Sequence, residues 1–173
     1  MSLVLAIDPG PVKSAWVIWD GKAILEKEIS PNEQLLEICR ERPKKADCLV
    51  IEQVRSYGMA VGATVFDTVF WSGRFCEAWG GTSWFQVPRI DIKMRICKNS
   101  RAKDANIRQA IIDRWGGKES AIGKTKCRGP FYGVKADEWS ALALAITWYD
   151  QNVIFFMFSY RKGVSNGKKS TQE

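Results

Sequence analysis

LVLAIDPG, residues 3–10, runs a short apolar segment straight into an aspartate and then turns. The apolar part, with the residue before it, predicts a strand over 2–7. Pro9-Gly10 bends the chain away, so the Asp8 side chain stands free at the strand's C-terminal end. CLVIE, residues 48–52, repeats the design: a wholly apolar run, as in a central strand covered on both faces, ends on Glu52. A third acid, Asp137, opens DEWSALALAIT at 137–147, whose inward face is Ala141, Leu144, Ala145 and Trp148. A carboxylate is costly where a buried element surfaces unless it pairs or binds a cation, so three such placements point to one shared metal site.

The rest of the chain supplies a frame for these acids. Residues 14–20 and 22–29 read as two further strands joined at Asp20-Gly21, a dipeptide favoured in hairpin turns. Ser30 is expected to cap a helix that begins with Pro31, carries Glu33 as the reciprocal capping residue, faces Leu35, Leu36 and Ile38 inward, and ends near Pro43. Residues 60–79 place Val61, Val65, Phe66, Val69, Phe70, Phe75 and Trp79 at helical spacing until Gly80-Gly81 stops the pattern. TSWFQV at 82–87 reads as a strand. Asp104 to Trp115 reads as a helix with Ile107, Ile111 and Trp115 on one face, and Ala136 to Tyr149 as the last helix of the core.

From Trp139 to Tyr160 the sequence is apolar enough to raise the question of a membrane span, but Asp150, Gln151 and Asn152 interrupt it. A buried helix, a polar break and a separate apolar piece, VIFFMF at 153–158, is the reading adopted. That piece either packs on the core or makes a subunit contact. Residues 161–173, polar and basic, read as a flexible tail, leaving one domain over 1–160. Three strands, helix, strand, helix, strand, then helices predicts an α/β fold with a mixed five-stranded sheet flanked by helices on both faces.

The 173 residues carry 26 Lys and Arg against 19 Asp and Glu, and with no His the resulting +7 is insensitive to pH near neutrality. The excess is concentrated: Lys93 to Arg128 holds eleven Lys and Arg against Asp104, Asp113 and Glu119. Such a stretch favours a polyanionic partner and steeply salt-dependent binding. Cys39, Cys48, Cys76, Cys97 and Cys127 form no CxxC pair, so reduced, mostly buried thiols are expected rather than zinc or a disulfide framework. MSLVLAID has no basic leader or cleavage site, so a cytoplasmic protein is expected. Of the eight tryptophans, Trp16, Trp19 and Trp148 fall on expected core faces, whereas Trp71, Trp79 and Trp84 lie where a dimer contact would equally bury them.

Phosphodiester hydrolysis needs an activated water and relief of charge on the phosphate oxygens, and two divalent cations held by carboxylates supply both. AIDPG at 6–10, IEQV at 51–54 and DEWSALALAIT at 137–147 resemble the three catalytic blocks of RuvC-type Holliday junction resolvases, in the ribonuclease H-like superfamily, over most of residues 3–149. The stretches around YGMAVG and KDANIR, with the compact length, resemble bacteriophage and prophage members, which would place the protein in a bacterial host's cytoplasm. The resemblance implies a homodimer acting on branched DNA such as four-way junctions, with two Mg²⁺ or Mn²⁺ per active site and no organic cofactor. It implies paired symmetric nicks leaving 5′-phosphate and 3′-hydroxyl ends. Asp8, Glu52 and Asp137 are the metal ligands so implied, and Lys103 matches a lysine near the scissile phosphate, where an ammonium would stabilise developing charge.

One position departs from the family: a second aspartate is usual three residues into the final block, and here Ser140 stands there. A hydroxyl binds a divalent ion more weakly than a carboxylate, so Ser140 is expected to act through a water. Glu138 is adjacent but about 100° around a helix, and Asp104 is the other acid considered as a substitute, its alternative role being to support its own helix. After Glu52, Arg55 and Tyr57 fall in a glycine-containing segment that the resemblance brings to the junction centre, with Tyr57 as the stacking candidate. Lys93, Arg101 and Lys103 complete the expected DNA-contacting set. Two other readings remain open: a catalytically weak or inactive junction-binding protein, if Ser140 breaks the metal site, and an RNA-processing nuclease of the related YqgF type. An ATP-binding kinase or actin-like protein needs two such domains, and the chain is too short for that.

Overall fold

The computed structural model describes residues 3–41, 46–56, 58, 60–80 and 83–165, with side chains as far as 152. Its main sheet has five strands, β1 (Val4–Asp8), β2 (Lys13–Trp19), β3 (Ile24–Pro31), β4 (Cys48–Gln53) and β5 (Trp84–Pro88), in the order β3-β2-β1-β4-β5. The first three pair antiparallel, and β4 joins β1 and then β5 in parallel. This is the mixed five-stranded sheet expected. At the β2–β3 turn the Asp20 carboxylate accepts the Lys22 and Ala23 amides at 2.7 Å each, and Gly21 takes φ 94°, where a side chain would also strike the Tyr149 ring.

Strand alternation sorts the core into two layers. Leu5, Ile7, Leu49 and Ile51 point with Trp16 and Ile18 toward helices α1 (Asn32–Glu41) and α2 (Ala63–Trp79). Val4, Ala6, Cys48 and Val50 point with Val17 and Trp19 to the other side, against helix α6 (Glu138–Ser165). Asp8 and Glu52 continue the second set, one step beyond Ala6 and Val50, so both emerge on the α6 side at the strands' C-terminal ends. The parallel register pairs Ile7 with Ile51, which sets the two acids side by side.

Helix α6 is buried all round from Ala141 to Ile146, and its alanines let it lie close on the sheet. Helices α3 (Arg89–Cys97) and α4 (Asp104–Arg114) cover it from outside, and a one-turn helix, α5 (Lys118–Ala121), packs against α4. The segment from 115 to 139 is tied to the sheet by aromatic contacts: Trp19, Trp115, Phe131 and Trp139 pack with centroids 5.1–6.1 Å apart. That cluster fixes the turn from which Asp137 projects.

Several expectations need correcting. Ser30 does not cap α1: its hydroxyl accepts the Trp16 indole N–H at 3.0 Å, and β3 runs on through Pro31. The buried Asn32 begins the helix, accepting from Ser14 at 2.7 Å and donating to the Gly10 carbonyl at 2.9 Å. No break occurs at 150–152, because the polar residues there sit on the helix surface with partners of their own. Arg114 binds the Asp150 carboxylate at 2.8 Å, and Asn152 donates to the Trp148 carbonyl at 2.8 Å. Helix α6 therefore continues through 153–158 and into the first five residues of the expected tail, with 166–173 outside the described residues.

Helix α3 was not foreseen. Ile90, Ile92, Met94 and Ile96 alternate with polar residues at strand-like spacing, and only Ile92 is fully buried. The helix expected over 60–79 forms as α2 from Ala63, where Phe66, Val69 and Phe70 lie exposed and only Ser72, Phe75, Cys76 and Trp79 are buried; Val61, just before it, is also exposed. Trp16, Trp19, Trp79 and Trp148 are buried, whereas Trp84 is exposed. Among the described residues no helix is long and apolar enough to cross a membrane. The five cysteines are free, three of them buried.

Candidate active site

A third acid lies near enough to the carboxylates at the strand ends to bear on Asp8 electrostatically. The turn before α6 puts Ala136 at φ 37°, a left-handed conformation rare for a residue with a Cβ, and the next residue, Asp137, is exposed over the ends of β1 and β4. Burial and the neighbouring charges of Glu52 and Asp137 push the Asp8 carboxyl up to about 7, while Arg89 and a hydrogen bond from Ser140 act in the opposite sense. Burial likewise raises Glu52, against the pull of Arg89 and Lys93. Asp8, Glu52, Asp137 and Ser140 thus form one electrostatically coupled group.

Glu138 is not part of it. Its carboxylate receives the Lys27 ammonium at 2.8 Å and the Lys135 amide at 2.7 Å, and it is buried. Lys27 also donates to the Gly133 carbonyl at 2.8 Å, so this acid anchors the turn to β3 and frees its neighbour Asp137 for the site. Glu138 is therefore no substitute for the carboxylate absent at Ser140.

The residue that sequence reasoning missed is Arg89. It follows β5 directly, and Val87 pairs with Glu52, so its guanidinium reaches back over the strand ends. One nitrogen donates to the Glu52 carboxylate at 2.9 Å, while the other binds the Asp104 carboxylate and lies 3.5 Å from the Ser140 hydroxyl. Burial alone would lower the Arg89 pKa, but the charges of Glu52, Asp104 and Asp8 outweigh it and the net shift is upward. The signal was available: VPRI sets a charge where a strand surfaces, the same logic that singled out the acids, applied there to acids alone. Asp104 sits in the first turn of α4 and spends its carboxylate on Arg89.

The remaining candidates are placed less tightly. Lys93 is half-buried on α3 and close enough to bear on Glu52. Arg101 and Lys103 are exposed on the turn into α4, where the Lys103 amide donates to Asn106 at 2.9 Å. Arg55 is exposed, with its guanidinium turned onto the Gln53 side chain at 2.6 Å. Tyr57 lies outside the described residues. Beside the acids opens a cleft of about 610 Å³ lined by Arg89, Asp104, Arg108, Lys118, Asp137 and Ser140, with Arg108 stacked over Trp139 at 5.0 Å.

The donor set suits a hard divalent cation: carboxylate oxygens, two of them driven toward the neutral form by burial, the condition a bound cation would relieve. Among the described residues no three acids stand close enough together to ligate one ion, and the Arg89 guanidinium lies between Glu52 and Asp104. The residues fit the ion in chemistry and charge, and one of them, Glu52, is at present paired with Arg89.

No family model matches the sequence, and no curated protein does. Solved structures do. The fold is similar to that of Thermus thermophilus RuvC, with a TM-score of 0.59 at 16% identity, covering 86% of this chain and 95% of that one. It is similar as well to T. thermophilus RuvC in complex with Holliday junction substrate, with a TM-score of 0.54 at 14% identity, covering 85% of this chain and 92% of that one. The chain has a RuvC-like fold.

Proposed function

We propose that this RuvC-like fold is a structure-selective endodeoxyribonuclease that resolves four-way or related branched DNA by metal-dependent phosphodiester hydrolysis. The observation that carries the reading is that Asp8, Glu52 and Asp137, from three separate elements, lie as electrostatic neighbours at one edge of the sheet, beside a cleft lined by Arg89, Arg108 and Lys118. The likeness to a RuvC bound to Holliday junction substrate supports branched DNA as the partner.

Two Mg²⁺ or Mn²⁺ bound here would activate the attacking water and neutralise charge on the phosphate oxygens. The chain's own part is to hold and orient. Asp8 and Glu52 are fixed by β1 and β4 and supply rigid oxygens, and Asp137 supplies a third from the strained turn. Ser140 lies beside Asp8, where a hydrogen bond from its hydroxyl opposes in part the upward shift of that carboxyl, and it would complete the group through a water where a fourth acid is lacking. Arg108 and Lys118, in the cleft, and exposed Lys103 are disposed to receive the phosphates flanking the scissile bond. Lys93, Arg101 and Arg55 extend the contact surface, and Tyr57 remains the proposed stacking residue. The products are paired symmetric nicks with 5′-phosphate and 3′-hydroxyl ends.

The acting unit is a homodimer formed from the single domain of residues 1–160. The exposed Phe66, Val69 and Phe70 of α2 support this, since an apolar row of that kind is uncommon on a lone soluble chain. A second reading, junction binding without cleavage, has its own support in Ser140 and in the Arg89 ion pair on Glu52.

A nicking assay with Mg²⁺ on a four-way DNA junction, a linear duplex of equal length and a structured RNA tests the proposal, with Asp8→Asn as the control. Symmetric nicks on the junction alone, lost in Asp8→Asn, are expected. Equal cleavage by both proteins would sink it, binding without nicking would establish the second reading, and preferential RNA cleavage would change the substrate.

A further inference from the structure

Arg89 is a fixed cation set into a group of acids that needs a divalent one. Its two contacts differ in kind. Glu52, its partner at 2.9 Å, is half-buried on a rigid strand, with its side chain only 15% exposed, whereas Asp104 is on a helix start with its side chain 77% exposed. A guanidinium presents several donors in a planar fork, so it can satisfy both carboxylates at once or give one up and keep the other. Side chains alone would have to move, because Arg89 begins α3 and Asp104 begins α4, and both lie on the wall of one cleft.

We infer that Arg89 is the resident counter-cation of the carboxylate group: it bridges Glu52 and Asp104 while Glu52 holds no metal, and swings wholly onto Asp104 when Glu52 is claimed as a ligand. The Arg89–Glu52 ion pair and metal ligation by Glu52 are then mutually exclusive, and Asp104 is a positioning residue that sets the balance between them. The arrangement also accounts for a half-buried group of acids holding together with no ion, since one guanidinium supplies part of the charge the acids lack. The inference rests on reading the group as a metal centre.

Opposed effects of two substitutions on metal affinity test it. Mn²⁺ binding to the full chain is measured by the free-ion electron paramagnetic resonance signal, with no DNA present, alongside melting temperature in EDTA. Arg89→Gln removes the competitor and is expected to bind Mn²⁺ about tenfold more tightly, the scale of one charge-assisted hydrogen bond, and to melt lower in EDTA. Asp104→Asn removes the alternative partner, strands Arg89 on Glu52, and is expected to bind several-fold more weakly. Asp104 is exposed, so this variant folds whether or not Arg89→Gln does. Arg89→Lys keeps the charge but lacks the planar fork that reaches both acids from separate nitrogens, and should fall between wild type and Arg89→Gln. A purely structural role would shift both variants the same way or neither. Unchanged or weaker binding by Arg89→Gln, or unchanged or tighter binding by Asp104→Asn, overturns the inference. If wild type and Asp8→Asn bind Mn²⁺ alike, the metal-centre reading fails and the inference with it; if they differ while Arg89→Gln matches wild type, the inference fails alone.

Discussion

Asp137 and Glu138 are neighbours at the start of α6, yet they belong to regions built on opposite plans. Around Glu138 charge is matched one to one: Lys27 at 2.8 Å, an amide at 2.7 Å, and little room for water. Around Asp137 it is not, since Asp8, Glu52 and Asp104 share the one guanidinium of Arg89 and Asp137 adds a further negative charge beside Asp8. A matched pair holds the turn in place. An acid-rich group with too few cations opposes folding, the pattern expected of the proposed metal site. The same dipeptide thus serves both, because consecutive residues at a helix start point about 100° apart.

Substitutions that exchange the roles of the two regions should break this contrast. The largest effect is expected from Asp8→Asn, which should reduce junction nicking by at least about 1,000-fold in a single-turnover gel assay, by removing a rigid metal ligand. It should nevertheless raise the melting temperature of the metal-free protein above pH 7, where the wild-type acid is ionised at a cost. Glu138→Ala should do the opposite to stability. By leaving Lys27 half-buried without its partner, it should cost about 3 kcal/mol in urea denaturation.

The pH dependence sharpens the point. The Asp8 carboxyl is raised from its ordinary 3.8 to about 7, so the folded chain holds a proton that the unfolded chain releases. Its contribution is neutral below about pH 4, grows unfavourable as pH rises toward 7, and is level above that. Metal-free wild type should therefore lose about 3–4 kcal/mol relative to Asp8→Asn between pH 4 and pH 8, followed by chemical denaturation in EDTA. Parallel curves for the two proteins would contradict the assigned shift.

The sequence made much of this legible, and the misses share a cause. Strands ending on Asp8 and Glu52 were readable because an apolar run bounded by a turn is a strong local pattern, and the parallel pairing that brings them together follows from the element order. Arg89 escaped because its importance comes from a register, Val87 against Glu52, that no local pattern encodes. Helix α3 escaped because its isoleucines alternate. What covers the apolar face of α2 was not legible, because spacing reports that a face is apolar and says nothing of its partner. The polar residues at 150–152 were read as a break because the partners of Asp150 lie on α3 and α4, far away in sequence.

Two smaller effects complete the series. Ser140→Asp adds a carboxylate beside Asp8 and should tighten Mn²⁺ binding about tenfold while lowering the metal-free melting temperature, both read in one titration calorimetry and thermal melt series. Phe70→Glu on the exposed face of α2 should leave the fold intact, within about 0.5 kcal/mol, but shift the sedimentation coefficient from dimer to monomer.

The central claim is that the acid-rich group at the strand ends is a metal site. A crystal soaked in Mn²⁺ and measured at the manganese absorption edge tests it most directly. The account predicts anomalous density bounded by Asp8, Glu52 and Asp137, with Arg89 turned away from Glu52 onto Asp104. Absence of density at saturating Mn²⁺, with the Arg89–Glu52 contact intact, would contradict it.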